Sequence, residues 1–240
     1  MINKIDEKFW DEYFRSYDIL NIVHAYRDLL ESVMVEMNLK SGVKVLDVGV
    51  GTGNLAVLIA KNGAEVYGLD SSHVGLRIFK EKVPKGITVV HDLKNEIPLP
   101  DNFFDYVCCI NTLFALPPIQ RESVCRELYK VLKPGGKIIM TNLLDGYKPI
   151  NIYSHHIIQE IKRIGVLRTI IHLFTIFKPT LKMFYYSRLM RKNNESFDEV
   201  RFFGLNEQED LLKRVGFINI SKGKKLFASQ AILNSAYKVY

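Results

Sequence analysis

The stretch VKVLDVGVGTGNLA, residues 43–56, decides the fold of this chain. It contains an apolar run that reaches Asp47, then glycines at positions 49, 51 and 53, then a second apolar stretch. This order predicts a buried strand, a tight turn and a helix. Because glycine has no Cβ, glycines at alternate positions let the backbone approach a ligand closely. We therefore expect a ligand-binding turn after the first strand.

The same alternation continues outward to residue 143. The predicted strands are 43–48, 64–69, 87–90, 104–110 and 137–143, with amphipathic helices between them. The last of these helices covers 121–132 and ends at Lys133-Pro134-Gly135-Gly136, because proline cannot continue a helix. Strands and helices joined in this way predict an α/β domain with a mostly parallel sheet and helices on both faces. Such sheets bind ligands beyond the carboxyl ends of their strands.

Polar residues stand at these predicted strand ends. Asp70 ends the second strand, and a carboxylate there can accept from two ribose hydroxyls. Asp92 and Leu93 follow the third strand and suit an amino-purine, while Asn111 follows the fourth. Asp47, just before the glycine turn, would repel a pyrophosphate but attract an ammonium group. The set therefore favours a nucleoside that carries a positive charge.

Other nucleotide-binding turns fit the sequence less well. A dinucleotide turn of the GxGxxG type needs glycine at position 54, which is Asn54 here. A P-loop needs a GK[ST] ending, and none follows Gly53. A purely structural turn remains the alternative.

Four motifs closely resemble successive motifs of the class I S-adenosylmethionine-dependent methyltransferases, in the small-molecule branch of quinone, sterol and lipid methyltransferases. They are VLDVGVGTGNLA (45–56), VYGLDSS (66–72), HDLKNEIPLPDNFFDYV (91–107) and ELYKVLKPGGKIIM (127–140). The likeness covers 43–143 and, more loosely, GLNEQEDLLKRVGFINI at 204–220. The resemblance implies a Rossmann-like, seven-stranded sheet with an antiparallel last strand, here 225–233.

The resemblance also implies S-adenosylmethionine as cofactor, with roles for the residues already singled out. Gly49, Gly51 and Gly53 would pass under the methionine part, and Asp47 would orient the turn and the ammonium group. The remaining implied contacts are Asp70 with Ser71 at the ribose, Asp92 with Leu93 at the adenine, and Asn111 near the ammonium and the methyl group.

The stretch from Phe9 to Asp18 resembles the N-terminal lid helix of the same branch. An aromatic hydroxyl of that helix would reach the methionine carboxylate, and we prefer Tyr17 to Tyr13 for this role. The alternative is that both tyrosines only pack on an amphipathic helix.

The acceptor is less well specified, because alignment of the acceptor and exclusion of water can suffice for methyl transfer. His155 or His156, with Tyr147 or Tyr153, are the candidate groups facing the acceptor, although a surface or packing role is the alternative. The Asn/Asp-Pro-Pro-aromatic run of nucleic-acid amine methyltransferases is absent after the fourth strand, so nucleic acid is not the expected acceptor. With no CxxC spacing, we expect no metal site.

The charge is concentrated in one segment. The chain of 240 residues is 48% hydrophobic and carries a net charge of +7, of which residues 1–150 contribute −1 and residues 151–240 contribute +8. Within 151–192 there are eight basic residues and one acid, Glu160. This segment predicts two short amphipathic helices that bend at Gly165, the second ending at Pro179.

Each of these helices has one predicted apolar face. The apolar residues are Ile157, Ile158, Ile161 and Ile164 on the first helix and Val166, Leu167, Ile170, Leu173, Phe174 and Phe177 on the second. Either the faces pack on the sheet domain as a plain cap, or part of this apolar and basic surface at 155–192 touches an anionic membrane or holds a long-chain acceptor. Nucleic acid or a protein partner is the remaining alternative.

The predicted organisation has lid helices at 1–40, a methyltransferase core at 41–150 and 200–240, and a basic helical cap at 151–199. A charged N-terminus, the lack of an apolar run of spanning length, and three cysteines without pairing or metal spacing indicate a cytoplasmic protein, with peripheral membrane contact as an option. We expect methyl transfer to a small hydrophobic or amphipathic acceptor. The alternatives are an aminophospholipid-type N-methyltransferase, an RNA or protein methyltransferase, and a non-catalytic homologue; the acceptor atom and the oligomeric state stay open.

Overall fold

Seven strands form one sheet in the computed structural model, which describes residues 6–195 and 201–239. The strands are β1 Lys44–Val48, β2 Glu65–Asp70, β3 Ile87–Val90, β4 Phe104–Ile110, β5 Leu132–Leu143, β6 Lys224–Leu226 and β7 Ala231–Tyr237. Their order across the sheet is β3-β2-β1-β4-β5-β7-β6. The first five strands are parallel, and β7 runs antiparallel to both β5 and β6. The predicted mostly parallel sheet with an antiparallel last strand is confirmed.

The described residues also form eight α-helices. They are α1 Glu7–Tyr17, α2 His24–Met37, α3 Asn54–Lys61, α4 His73–Lys82, α5 Pro118–Val131, α6 Pro149–Ile164, α7 Val166–Glu195 and α8 Glu207–Val215. The chain moves outward through β1, β2 and β3 on one side of the sheet centre and through β4 and β5 on the other. Since parallel crossovers are right-handed, α3 and α4 cover one face and α5 covers the opposite face, where it contacts α8.

The buried strands explain why the apolar runs could be identified from the sequence. Val45, Leu46 and Val48 on β1 are fully or almost fully buried, because helices cover both faces. Cys108 and Cys109 on β4 are free and completely buried. Burial also raises the pKa of both thiols. These cysteines are therefore core residues.

The predicted single strand over 225–233 is wrong. Phe227, Ala228 and Ser229 adopt positive φ angles of 57°, 52° and 62°, and this turn separates β6 from β7. The side-chain amide of Gln230 stabilises this turn by donating to the Ala228 carbonyl at 3.2 Å. The last part of the sheet is therefore a hairpin, a geometry that the apolar pattern of 225–233 did not reveal.

The helical segment after the core bends where the sequence predicts but extends further. Gly165, at φ 81°, separates α6 from α7. Pro179 does not end the second helix, contrary to the prediction, because α7 continues through it to Glu195. Beyond the proline, Met183, Tyr186 and Met190 are buried. Their packing offsets the roughly 3 kcal/mol that a proline inside a helix costs.

The two cap helices present their apolar faces to solvent, not to the sheet domain. Leu167 and Phe174 are 73% and 79% exposed, and Ile158 is more than half exposed. The buried positions are instead polar in part, since His156 and Glu160 on α6 and Thr169 on α7 face inward. The account in which the apolar stripes pack on the core is therefore wrong for most of these residues.

The segments predicted as lid and cap are both helical in the described residues. The segment 1–40 holds α1 and α2, and 151–199 holds most of α6 and all of α7. The predicted boundary between cap and core at 199/200 falls outside the described residues. Within the described part of the chain, no helix combines the length and apolar character needed to cross a bilayer.

Candidate functional site

A cavity of about 280 Å³ lies at the carboxyl ends of β1 to β5, beneath the lid and cap helices. Most of the residues singled out from the sequence line it. They are Tyr17, Asp47, Gly49, Gly51, Asp70, Ser71, Asp92, Leu93, Asn111, Tyr147 and Tyr153. Gly53 and His155 are not among the lining residues. The cavity thus brings residues from five strand ends and two helical segments together.

The turn between β1 and α3 is tight enough to require glycine. Gly49 has φ 70°, and a Cβ placed on it would lie 2.3 Å from Thr112 Oγ1. Gly51 has φ 51°, and its Cβ would meet the ring of Phe14 on the lid at 2.6 Å. Side chains at these positions would be strained and would also clash, so the backbone forms the floor of the cavity. Gly53 is the N-cap residue of α3 and packs against Phe79.

Asp70 is fixed in place by the backbone around it. One carboxylate oxygen accepts from the Gly51 N–H at 2.8 Å, and the other accepts from the Ser72 N–H at 2.9 Å. Burial raises the pKa of Asp70 to about 6, although these backbone hydrogen bonds oppose the shift. Each oxygen keeps a further lone pair, so the carboxylate can accept hydrogen bonds from a ligand in the cavity.

Asp47 is the most perturbed acid of the site. Its side chain is 3% exposed, and no described residue donates a hydrogen bond to its carboxylate. Burial, and secondarily the nearby charge of Asp70, raise the pKa of Asp47 to about 8. A cationic group beside it would reverse both effects, because it supplies the missing charge partner. The buried, unpartnered acid therefore fits the ammonium group of the expected cofactor.

The end of β3 supplies a more open part of the cavity. Asp92 is exposed at the surface, and one of its oxygens accepts from the Lys94 N–H at 3.0 Å. Leu93 beside it is half-buried and offers an apolar surface. His91 also lines the cavity, and its N–H donates to the Asp70 carbonyl at 2.9 Å. His91 is not among the site residues predicted from the sequence.

Asn111 ends β4 in a strained backbone conformation. Its φ is 51°, in the left-handed region that asparagine tolerates better than most residues. The Asn111 N–H donates to the Thr141 carbonyl at 2.7 Å, and its side-chain oxygen accepts from the Thr141 hydroxyl at 3.1 Å. These bonds hold the strand end against the cavity.

The lid is attached to the rim of the cavity by polar contacts. Asp11 on α1 accepts from the Ser72 hydroxyl at 2.5 Å and from the Val74 N–H at 3.2 Å. Asp18 accepts from the Thr52 hydroxyl and from Lys82, both at 2.7 Å. Desolvation raises the pKa of the lid residue Tyr17, which keeps its hydroxyl protonated and able to donate.

Part of the cavity lining is aromatic and apolar. Tyr147 and Tyr153 line it and are both buried, whereas His155 is half-buried and outside it. The sequence interpretation missed several further lining residues. These include Phe14, Tyr26, Phe114, Met183, Met190 and Phe227. The aromatic pattern of the lid helix could have indicated Phe14. Phe227 could not be found in this way, because it lies in a hairpin turn that the sequence did not predict.

Comparisons with known proteins agree with this geometry. A family model described as a methyltransferase domain matches residues 46–140. The demethylmenaquinone methyltransferase of Anoxybacillus flavithermus is 28% identical over 233 residues, which cover 91% of this chain and 88% of that protein. The corresponding enzyme of Listeria welshimeri is 32% identical over 165 residues, which cover 62% of this chain and 69% of that protein.

A solved structure shares the fold. It is a Thermotoga maritima S-adenosylmethionine-dependent methyltransferase, described as a possible histamine N-methyltransferase, with a TM-score of 0.60 and 19% identity over 96% of this chain and 99% of that one. Since the matched domain carries the glycine turn and the strand-end acids, the expected cofactor and activity follow. The chain belongs to the small-molecule branch of the class I S-adenosylmethionine-dependent methyltransferases, enzymes that transfer the cofactor's methyl group to a small acceptor.

Proposed function

We propose that this enzyme methylates a hydroxylated aromatic ring of the quinol type that carries an apolar tail. The aromatic and apolar residues in the lining of the cavity that also holds Asp47 and Asn111 are the observation that carries the proposal. Met183, Met190 and Phe227 offer a surface for an apolar tail, and Tyr147 and Tyr153 offer flat surfaces for a ring. The two relatives named above are demethylmenaquinone methyltransferases, which supports a quinone-related acceptor.

The cofactor-binding roles belong to the same proposal. Asp70, with Ser71, holds the ribose, and Asp92 with Leu93 receives the adenine. Asp47 faces the ammonium group, while Tyr17 of the lid donates to the methionine carboxylate. The backbone at Gly49 and Gly51 lies under the methionine part, and Gly53 contributes by starting α3, since it does not line the cavity.

The chemistry places few demands on the protein itself. The cofactor supplies an electrophilic methyl group on a sulfonium and leaves as the thioether, while the acceptor loses one proton to solvent. The protein has to align the acceptor with the methyl group and exclude water during the transfer. Burial raises the pKa of Tyr147 and Tyr153, and both therefore remain protonated. Protonated tyrosines can donate hydrogen bonds to acceptor oxygens but cannot remove a proton from them. We infer that these two residues orient the ring, and that His155 lies too far outside the lining to contact it.

The acceptor can be identified with isotopically labelled cofactor. The enzyme is incubated with a reduced hydroxynaphthoquinone bearing a short isoprenoid tail, with phosphatidylethanolamine vesicles, and with RNA, in separate reactions. We expect label in the quinol and in neither of the others. Label in the phospholipid or the RNA, or no transfer to the quinol, would overturn the proposed acceptor class.

We also propose that the described part of the cap, 151–195, rests on an anionic membrane surface from which an apolar acceptor enters. Two features of the described cap support this. The apolar residues at positions 158, 167, 170, 171, 174 and 177 are all exposed. The basic residues Lys162, Arg168, Lys178 and Lys182 are also exposed among them. An apolar face flanked by bases is typical of helices that lie in the membrane interface.

This surface agrees with a quinol acceptor and with an aminophospholipid acceptor, because both reside in membranes. The relatives favour the quinol. Nucleic acid is disfavoured, since it would leave the exposed apolar residues of the cap without a partner.

A further inference from the structure

A polar cluster lies beneath the cap and outside the lining of the cavity. His156 on α6 is completely buried, and neither of its ring nitrogens has a hydrogen-bond partner. Glu160, one turn later on the same helix, is almost completely buried. His24, at the start of α2, contacts both residues, and His172 on α7 reaches the same carboxylate. Three separate helices thus meet at one carboxylate and three imidazoles.

The distances bring three ligand-type atoms together. Nε2 of His24 lies 2.7 Å from Oε1 of Glu160. One ligand atom from each of His24, His156 and Glu160 lies within 4.8 Å of the other two. Around a tetrahedral zinc ion with bonds of about 2.1 Å, ligand atoms lie about 3.4 Å apart.

We propose that His24, His156 and Glu160 form a divalent-metal site, with Zn²⁺ as the best-suited ion. Two imidazoles and one carboxylate are a common zinc ligand set. His172, whose Nδ1 lies 3.1 Å from the second oxygen of Glu160, orients the carboxylate as an outer partner. Bound metal would tie the lid helix α2 to the cap helix α6 next to the cavity.

Two arginines occupy the rim of this site. Arg163 makes two hydrogen bonds of 3.0 Å with Glu160, and Arg27 lies 2.7 Å from Nδ1 of His24. Arg163 is 58% exposed, whereas Glu160 is 1% exposed. The guanidinium can therefore turn into solvent when a metal takes over the charge of Glu160. Arg163 competes with the metal, and its removal strengthens metal binding.

No metal site was expected from the sequence, because the three ligands come from positions 24, 156 and 160. Only His156 and Glu160 have the i, i+4 spacing that a helix brings together, and the third ligand, His24, lies on another helix. The alternative is that His156 is a buried imidazole without a function. An unpaired buried polar group is destabilising, so replacing it with leucine would then change stability alone.

The test uses the untagged full chain, stripped with a chelator and then titrated with Zn²⁺ by calorimetry. We expect one zinc ion per chain and a higher midpoint of thermal unfolding with zinc. Loss of an outer partner typically lowers metal affinity by about 10- to 100-fold. Because His156 and Glu160 are ligands themselves, His156→Leu and Glu160→Gln should each lower the zinc affinity by no less than this. Arg163→Gln tightens binding, while His73→Ala, at an exposed histidine on α4, leaves it unchanged.

Cobalt gives a readout that does not depend on how a variant folds. Intense visible absorption of the unmodified chain with Co²⁺, typical of a four-coordinate site, supports the proposal. Substoichiometric zinc binding, a six-coordinate cobalt spectrum, or affinity unchanged in both His156→Leu and Glu160→Gln would overturn it. None of these readouts uses methyl transfer, so they are independent of the proposed acceptor.

Discussion

The backbone N–H of Gly51 donates to a carboxylate oxygen of Asp70 at 2.8 Å, which joins the glycine turn to the end of the neighbouring strand. The two residues are 19 positions apart in the chain but form one surface of the cavity. Asp70 therefore has two roles in our proposal: it stabilises the glycine turn, and it accepts hydrogen bonds from the ribose hydroxyls. Its substitution should affect the cofactor more than any change elsewhere on β2.

Asp70→Ala is expected to weaken binding of S-adenosylmethionine by about 1–3 kcal/mol, because a buried hydrogen-bonded acceptor is lost. Isothermal titration calorimetry measures this directly. Glu65→Gln is the matched control, since Glu65 is exposed at the start of the same strand. Equal affinity of Asp70→Ala and the wild type would refute the ribose assignment.

Asp47 should make cofactor binding depend on pH. In the free protein its pKa is about 8, so the acid is mostly protonated near pH 7. An ammonium group beside it favours the carboxylate, and binding therefore releases a proton. We expect the affinity to rise between pH 6 and pH 8 and to level off above pH 8. In Asp47→Asn the rise in affinity with pH should be reduced to the part that Asp70 contributes. A rise as large as in the wild type would contradict the assignment of Asp47 to the ammonium group.

The same acid should destabilise the free enzyme as the pH increases. Asp47 has a pKa of about 8 when folded and 3.8 as its ordinary value, so the folded state holds more protons between these two values. The contribution of Asp47 to the free energy of unfolding is therefore complete below about pH 4 and is lost as the pH rises towards 8. Asp47→Asn should unfold at a higher temperature than the wild type at pH 9, measured by circular dichroism without cofactor. A lower unfolding temperature at that pH would show that the buried charge is compensated.

Gly49→Ala should destabilise the turn by more than backbone strain alone. Both Gly49 and Gly146 have positive φ, but a Cβ at Gly146 meets nothing within 4 Å, whereas one at Gly49 meets Thr112 at 2.3 Å. Gly146→Ala therefore measures the strain, about 1–2 kcal/mol. Urea denaturation should show a clearly larger loss for Gly49→Ala, and equal losses would mean that Thr112 moves aside freely.

The central part of the fold could be predicted because a buried parallel sheet produces a simple pattern. Apolar runs mark β1, β2 and β4, and polar residues directly after them mark one edge of the sheet. Asp47, Asp70 and Asn111 could thus be assigned to one site from chain order. The family resemblance added the lid.

The cap could not be predicted in the same way, since helical periodicity shows that two faces differ but not which one is buried. On α6 the inward face contains His156 and Glu160, because these residues contact His24 on a helix more than 100 positions earlier. The hairpin at Phe227 likewise depends on a turn of three residues that are not typical of positive φ. Both features are set by tertiary contacts.

The exposed apolar face of the cap should bind anionic vesicles. Phe174 is 79% exposed on α7, and inserting its ring into the interface contributes about 1.5–3 kcal/mol. Phe174→Asp should therefore weaken sedimentation with phosphatidylglycerol vesicles by about tenfold or more. Ile119→Asp is the matched control, because Ile119 is 89% exposed on α5 and belongs to the sheet domain.

The basic residues of the cap should make vesicle binding depend on charge. Binding of the wild type should weaken as salt is added, since salt at 0.1 M limits the reach of these charges to about 10 Å, and it should be weaker with phosphatidylcholine than with phosphatidylglycerol. Vesicle binding that is absent, or equally reduced by both substitutions, would mean that the cap has no specific membrane-facing surface.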